Sequence, residues 1–331
     1  VAASGDLLVH SPVFARALEN GDGERYDFRP MLKEVAPIVK RADLGICHVE
    51  TPLTRGEPSG GPTFNAPASL ATAIKATGWD LCDTTSNHSL DAGQDGIEET
   101  GEILDDAGVL HTGSFRTPEE QRIPLILKVR GVPLAFLSYV SGEIPGIPPN
   151  PNPWSLNRAG PQRILADARE ARRRGARVVI VNVHWGREYE SEPTPTQRRL
   201  AQTLTAAPEI TAVIGQHVHV VQPIERVRGK PVVFGEGNLL SNQTEACCAV
   251  ESQDGLIALL DFEVRGKAAR VTRMRYVPTW VKHPEFEVLP VGEALRADPD
   301  DIERDALERS YNDTVKVVGR EAATPIPPRL P

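Results

Sequence analysis

Five short polar signatures stand where apolar runs stop: Gly5-Asp6, His48-Val49-Glu50, Ser86-Asn87-His88-Ser89-Leu90-Asp91, Asn182-Val183-His184-Trp185-Gly186 and Gly215-Gln216-His217-Val218-His219. Asp6 and Glu50 bring negative charge, Asn87 a neutral oxygen, and His184, His217 and His219 imidazole nitrogen. Such a mixed set suits Zn, Fe or Mn better than Mg or Ca. Two ions side by side also need a shared carboxylate to offset their repulsion. The i,i+2 spacing of His217 and His219 on a strand puts both rings on one face, close enough for one ion each. His88, with Asp91 three residues on, has the arrangement of an imidazole held by a carboxylate, suited to protonating a leaving group. The chemistry these residues point to is metal-assisted hydrolysis.

The elements between the signatures must bring them together. Apolar runs alternate with helical patterns in the first half, which is the mark of βαβ units. Strands are expected at Val1 to Val9, Leu44 to Val49 and Trp79 to Thr85, with helices at about Pro30 to Arg41, Pro67 to Thr77 and Gly96 to Ala107. A hairpin turning at Arg130-Gly131 follows, then a proline-rich loop from Gly142 to Pro153. The alternation resumes with a helix at about Ala159 to Arg174, a strand from Arg177 to Val183, a helix from Thr196 to Ala206 and a strand from Ile210 to Ile214. Hairpins at Arg228-Gly229-Lys230 and Arg265-Gly266-Lys267 are expected to supply an antiparallel second sheet, and an acidic helix covers about Pro299 to Val318. In open α/β folds ligands bind at the carboxyl ends of the strands, and the five signatures lie at or just past such ends.

With 331 residues, 40% of them hydrophobic and 25% charged, the chain can bury a large core. A net charge of -8 argues against a nucleic-acid binder. The one basic run, Arg169 to Arg177, reads as a solvated helix face, with a polyanion contact as the minority reading. No apolar stretch approaches the roughly 20 residues that span a bilayer. The first residue is Val1, so a removed signal peptide or N-terminal anchor is one expectation and a trimmed chain another; the former implies an extracytoplasmic location. Cys47 and Cys82 each precede a polar signature and could be sheet neighbours, either bonded or as two buried thiols. Cys247-Cys248 lies in a polar loop.

The order Gly-Asp, x-x-Glu-Thr-Pro-Leu-Thr, Ser-Asn-His-Ser-Leu-Asp-Ala-Gly, Val-His-Trp-Gly-x-Glu-Tyr, Gly-x-His-x-His-Val-Val-Gln-Pro-Ile-Glu and Gly-Glu-Gly-Asn-Leu-Leu resembles the CapA family of capsule-biosynthesis proteins. That family is linked to poly-γ-glutamate synthesis and lies within the calcineurin-like metallophosphoesterase superfamily. The resemblance covers about Val1 to Pro284. It implies an α/β fold, a four-layer αββα sandwich of the metallophosphoesterase type over residues 1–284, followed by a C-terminal helical extension and proline-rich tail, 285–331. It implies a site for two divalent ions: Asp6 a terminal ligand, Glu50 the bridging ligand, Asn87, His184 and His217 ligands of one ion and His219 of the other. His88 matches the superfamily's general-acid histidine.

Three positions depart from the superfamily. Leu8 stands where its first signature, Asp-x-His, has histidine, leaving one metal site the weaker. His10 is one candidate substitute. Glu50 replaces the usual Asp, and His48 stands where CapA-like chains more often carry Asn, either as an added ligand or in support of one.

The resemblance implies a metal-dependent hydrolase or acyl transferase acting on a γ-glutamyl, polyglutamate-type or related anionic substrate, small molecule or polymer. The wider superfamily favours a phosphoester. A third reading is a non-catalytic polymer-binding subunit that partners a membrane polyglutamate synthase or export complex. Arg187, Arg198 and Arg199 are candidates to grip carboxylates or phosphates, and the loops Gly142 to Pro153 and Thr244 to Ser252 to face the substrate.

Overall fold

The computed structural model describes every residue except 143, 145, 146, 148–151, 267, 328 and 331. The chain starts with β1 (Ala2–Leu7) and α1 (Ser11–Asn20), a helix not anticipated from the sequence. Pro12 opens α1, where a missing amide is harmless. The single helix expected over Pro30 to Arg41 is two short ones, α2 (Arg29–Leu32) and α3 (Ala36–Lys40). Pro37, in the first turn of α3, has no N–H to donate to the Lys33 carbonyl, so the hydrogen-bond ladder cannot run on unbroken from α2.

Next come β2 (Gly45–Val49), β3 (Leu53–Thr54), β4 (Ser59–Gly60) and β5 (Phe64–Pro67). Helix α4 (Ser69–Thr77) closes on Gly78, whose φ of 111° lets its own N–H and that of Trp79 return to the Ile74 carbonyl. It leads to β6 (Leu81–Asp83), α5 (Gly93–Asp106), β7 (Leu110–Thr112) and α6 (Pro118–Gln121).

The hairpin of β8 (Leu125–Val129) and β9 (Val132–Ser141) turns at Arg130-Gly131 as expected, both residues having the positive φ that a two-residue turn requires. The loop expected from Gly142 to Pro153 falls largely outside the described residues. Then follow β10 (Arg158–Ala159), α7 (Pro161–Arg173), β11 (Val178–His184), α8 (Pro195–Ala206), β12 (Ala212–Gln216), β13 (Ile224–Val227), β14 (Lys230–Val233) and β15 (Asn238–Leu240). The last stretch holds β16 (Asp254–Arg265), β17 (Ala268–Lys282), β18 (Glu287–Pro290), α9 (Val291–Arg296), α10 (Asp301–Val318) and β19 (Thr324–Pro325).

The larger sheet runs β18-β17-β16-β1-β2-β6-β7, with β15 also on β1 and β19 on β17. The second runs β10-β9-β11-β12-β14-β13, with β8 also on β9. Strand alternation shows how they stack. Leu134, Phe136, Val178 and Ile180 meet Ala3, Ile46, Leu81 and Leu256 between the sheets. Ala135, Val179 and Val181 face outward onto Ile164 and Ala168 of α7 and Leu204 of α8. On the other outer face Leu7, Cys47 and Val49 pack on Val13, Leu32, Leu70 and Leu104 from the helices. Helix, sheet, sheet and helix are therefore four layers, the arrangement the resemblance implies.

The two late hairpins do not form a sheet together. β13–β14 joins β12 in the second sheet, whereas β16–β17 joins β1 in the first, where Ser4 pairs with Ile257. Each hairpin's local turn was legible, but its neighbour is set by long-range burial, which turn chemistry does not encode. Lys267, in the second turn, lies outside the described residues. Beyond Pro284, β18 pairs with β17, Leu307 and Tyr311 of α10 pack with Trp280 and Leu289, and Val318 enters the layer between the sheets.

Cys47 lies opposite Cys82 on the parallel strands β2 and β6, and the two are bonded; Cys247 pairs with Cys248. Closing 35 residues of chain at the centre of the first sheet should matter for stability. Relative to wild type, the Cys47→Ala/Cys82→Ala variant is expected to lose about 3–4 kcal/mol in urea unfolding. An unchanged midpoint would show that the pair adds nothing.

Candidate metal centre

Parallel strands β1, β2 and β6 of one sheet and β11 and β12 of the other end at a common edge. Asp6 is the penultimate residue of β1, Glu50 directly follows β2, and Asn87, His88 and Asp91 sit in the loop after β6. His184 is the final residue of β11, and His217 and His219 follow β12. Asp6, His48, Glu50 and His184 are all 0% exposed, which is extreme for two carboxylates and two imidazoles.

Their ligand atoms form two groups, Asp6 with His48 and His184, and Glu50 with His217 and His219. Within each group the atoms lie within 4.8 Å of one another. The carboxylates tie the groups together. Glu50 Oε1 is 3.8 Å from His184 Nε2 and 3.8 Å from His219 Nε2. Asp6 Oδ1 is 3.8 Å from His48 Nε2, and its Oδ2 is 3.1 Å from His219 Nδ1. Asn87 joins through its Oδ1, 2.7 Å from His184 Nε2.

The buried atoms of these residues are short of partners. Both oxygens of Asp6, both of Glu50, His48 Nε2, His184 Nδ1 and His217 Nδ1 lack a hydrogen bond. A carboxylate left short of hydrogen bonds in a dry interior, as Glu50 is, costs several kcal/mol. Divalent cations are the groups this donor set fits, since they satisfy oxygen and nitrogen lone pairs together.

Electrostatics agree with that fit. Burial and the charge of neighbouring histidines hold His217 at about 3 and push His184 well below the usual imidazole range, leaving both neutral. Burial also raises the Glu50 carboxyl to about 7. Burial would discharge His48 and His219 as well, but carboxylates outweigh it: Asp83, Asp6 and Glu50 for His48, Glu50 and Asp6 for His219, so each titrates at about 9. Without metal these two rings carry protons at neutral pH, and a cation must displace them. Zinc uptake by metal-stripped protein at pH 7 is therefore expected to release protons, and its affinity to rise as pH climbs towards about 9. Calorimetry in two buffers of different ionisation enthalpy measures the release, and identical heats would exclude it.

Supporting residues were not foreseen from the sequence. Asp83 accepts from His48 Nδ1 at 2.5 Å, from Asn182 Nδ2 at 2.7 Å, from the Ser138 hydroxyl at 2.5 Å and from the Thr85 amide at 2.9 Å. It thereby points His48 Nε2 at Asp6, as a carboxylate behind a metal-binding histidine does. Asn238 lies opposite Asp6 in register, 3.1 Å from His219 Nδ1, and donates to Gln243 Oε1, which ties it to Tyr189 through the Gln243 amide. One signal was available: an acid closing the buried run Leu81-Cys82-Asp83 has to have partners.

Some expectations change. His217 and His219 are not on a strand, because β12 ends at Gln216; they lie in a turn with φ of 95° and 58°. Such backbone is strained for a residue with a side chain and is held where surrounding structure requires it. Their rings stay 6.0 Å apart and fall in one group, whereas the resemblance divides them between two ions. His10 is in neither group; its Nδ1 sits 3.2 Å from the Leu8 carbonyl and 3.3 Å from the Asn242 amide. His48, by contrast, groups with Asp6 and His184. Arg187 is exposed and faces Glu190 at 3.4 Å, Arg198 is paired with Glu225, and Arg199 bonds Thr196.

Beside the groups, His88 Nδ1 is 2.9 Å from Asp91 Oδ2. Burial works against charge on His88, but the bond to Asp91 and the nearby Glu50 outweigh it and raise its pKa.

The model of the family described as bacterial capsule synthesis protein PGA_cap matches residues 1–243. The capsule biosynthesis protein CapA of Bacillus anthracis is 24% identical over 248 residues, 72% of this chain and 59% of that protein. The PGA biosynthesis protein CapA of Bacillus subtilis (strain 168) is 28% identical over 172 residues, 51% of this chain and 44% of that protein. A probable polyglutamine synthesis accessory protein of Mycobacterium tuberculosis (strain H37Rv) is 29% identical over 175 residues, 49% of this chain and 45% of that protein. This chain thus spans about half the length of the curated relatives it matches. Among solved structures, the calcineurin-like phosphoesterase YfkN from Bacillus subtilis aligns over 94% of this chain and 98% of its own, with a TM-score of 0.48 and 11% identity.

Proposed function

This chain belongs to the bacterial capsule synthesis family PGA_cap, and from that premise we propose that it is a metal-dependent hydrolase or acyl transferase acting on γ-glutamyl bonds of a polyglutamate-type anionic substrate. The observation that carries the reading is the His88–Asp91 pair standing beside two buried groups of unsatisfied carboxylates and imidazoles. A metal held only for structure has no need of an oriented proton donor.

Asp6, Glu50, His48, His184, His217 and His219, with Asn87 next to His184, would hold the ions. Bound there, divalent ions supply Lewis acidity and activated water. The chain supplies the rest. Asp91 takes the Nδ1 proton of His88 as a hydrogen bond, which fixes the tautomer and leaves Nε2 to pass a proton to a leaving amine. Burial of Asp6, Glu50 and His184 excludes bulk water, so charge on these groups acts at full strength.

An extracytoplasmic location belongs to this reading, supported by the Cys47–Cys82 bond, which persists in oxidising compartments. So does action alongside membrane polyglutamate synthase subunits, supported by the accessory role in the mycobacterial relative's name.

Metal-stripped protein reloaded with Mn, Fe or Zn is assayed on γ-glutamyl oligomers and on bis(p-nitrophenyl) phosphate. Release of shorter γ-glutamyl products is the expected result. Turnover of the phosphodiester alone would replace the amide reading with a phosphoesterase. Full metal load with neither activity would leave the polymer-binding subunit, which the loss of a ligand at Leu8 favours.

A further inference from the structure

We propose that Phe64 is the positioning residue of the His88–Asp91 pair, gripping it through its ring and its backbone at once. The inference rests on the reading of His88 as a proton donor and adds the part of the fold that keeps it aimed.

Asp91 Oδ2 accepts two hydrogen bonds, one from His88 Nδ1 at 2.9 Å and one from the Phe64 backbone amide at 2.7 Å. The Phe64 ring packs edge-on against the His88 imidazole, with centroids 4.6 Å apart and planes at 75°. A carboxylate oxygen with two N–H donors is bound to act as acceptor, so the His88 Nδ1 proton stays directed at Asp91 and Nε2 is the nitrogen left to carry the transferable proton. The edge-on ring restricts rotation of the imidazole about the bond to its backbone. One residue therefore constrains both the tautomer and the orientation of His88.

Phe64 is itself held from several sides. It is 6% exposed, and its ring also meets His10 edge-on at 5.3 Å. Behind it, a Cβ at Gly61 would come within 3.0 Å of Phe64 Cζ, and the φ of 103° at Gly61 suits only glycine. A Cβ at Gly60 would come within 2.0 Å of the Ser11 amide, so β4 lies directly on the start of α1. On the opposite side of the small β3–β5–β4 sheet, Leu53 exchanges hydrogen bonds with the Thr100 hydroxyl of α5 at 2.9 and 3.2 Å, and Leu53 pairs with Ala66 of β5. The small sheet thus bridges α1 and α5, and its output is the placement of Phe64. Its chain begins three residues after Glu50, so the metal groups and the proton donor share one support.

The test uses the full chain loaded with zinc, which is diamagnetic, and 15N-labelled histidine. Phe64→Leu keeps the backbone amide and apolar bulk while removing the aromatic edge. Its His88 Nδ1 proton resonance, present in wild type, is expected to disappear through solvent exchange, with zinc content unchanged; Phe64→Tyr is expected to retain it. In turnover of γ-glutamyl oligomers, Phe64→Leu is expected to lower kcat about tenfold with KM unaltered, and to cost nothing more in an Asp91→Asn background. A resonance that survives in Phe64→Leu, or an equal kcat loss in both backgrounds, overturns the proposal. If wild type turns over neither substrate class, the hydrolase reading fails and the resonance alone decides whether Phe64 holds the pair.

Discussion

Replacing His88 with alanine is expected to lower turnover by about 10²- to 10⁴-fold, the usual weight of a general acid, while metal content stays at the wild-type level. The two halves of this expectation have separate structural causes. His88 belongs to neither group of ligand atoms, so its imidazole is not needed to hold an ion. Its neighbour Asn87 is held in place by other residues. The Ser86 hydroxyl donates to the Glu50 carbonyl at 2.5 Å, Ser89 takes the Ser86 amide at 2.7 Å, and the Ser89 hydroxyl reaches the Thr84 carbonyl at 2.8 Å. That serine lattice survives His88→Ala, so loss of activity reports proton transfer and not collapse of the loop. The readouts are metal analysis and turnover of γ-glutamyl oligomers on one preparation. Activity kept within a factor of two would remove His88 from the mechanism, and metal lost along with activity would make it a ligand.

The second large effect concerns His48. Removing its ring, His48→Asn, is expected to cost dialysed protein one metal equivalent relative to wild type. Asp83→Asn, which keeps the shape but gives up the charge behind the ring, is expected to weaken the same ion by about 10- to 100-fold. The reason lies in which atoms are left over. His48 commits Nδ1 to Asp83 at 2.5 Å, and its buried Nε2, without a hydrogen bond, faces the Asp6 carboxylate. An imidazole arranged in that way is a ligand on a stalk. His48→Asn corresponds to the residue more often found in CapA-like chains, so the substitution asks directly whether this chain has replaced the missing Asp-x-His nitrogen with another. Unchanged stoichiometry in His48→Asn would return His48 to a supporting role, and melting curves in EDTA separate loss of metal from loss of fold.

The fold was largely legible because its elements announce themselves locally. The βα alternation, the Arg130-Gly131 turn and the long C-terminal helix each rest on periodicity or turn chemistry within a few residues. Misreadings came where one residue outweighed the pattern, as Pro37 does in the first turn of α3, or where the partner of an element lies far off, as with the hairpins at Arg228 and Arg265 that joined different sheets. The site divides in the same way. Asp6, Glu50, Asn87, His184, His217 and His219 were visible as polar residues closing apolar runs, and they do meet at one edge. Asp83, Asn238 and Phe64 were not, because an aspartate within an expected strand, an asparagine in a glycine-rich stretch and a phenylalanine just past a Gly/Pro-rich loop are each ordinary until their partners are known.

What the sequence by itself determined is the inventory and the address. Residue types limited the chemistry to carboxylate, amide and imidazole donors, and strand periodicity sent them to the carboxyl ends of parallel strands. Only the tertiary structure decided how the donors group, that His48 and not His10 joins Asp6 and His184, and which surface partners the arginines near His184 take. The physical reason is range. Periodicity and turn preference act over a few residues, whereas ligation, ion pairing and ring packing depend on separations of a few ångströms between residues as far apart as Asp83 and Asn182, which only the packing of two sheets against each other can set.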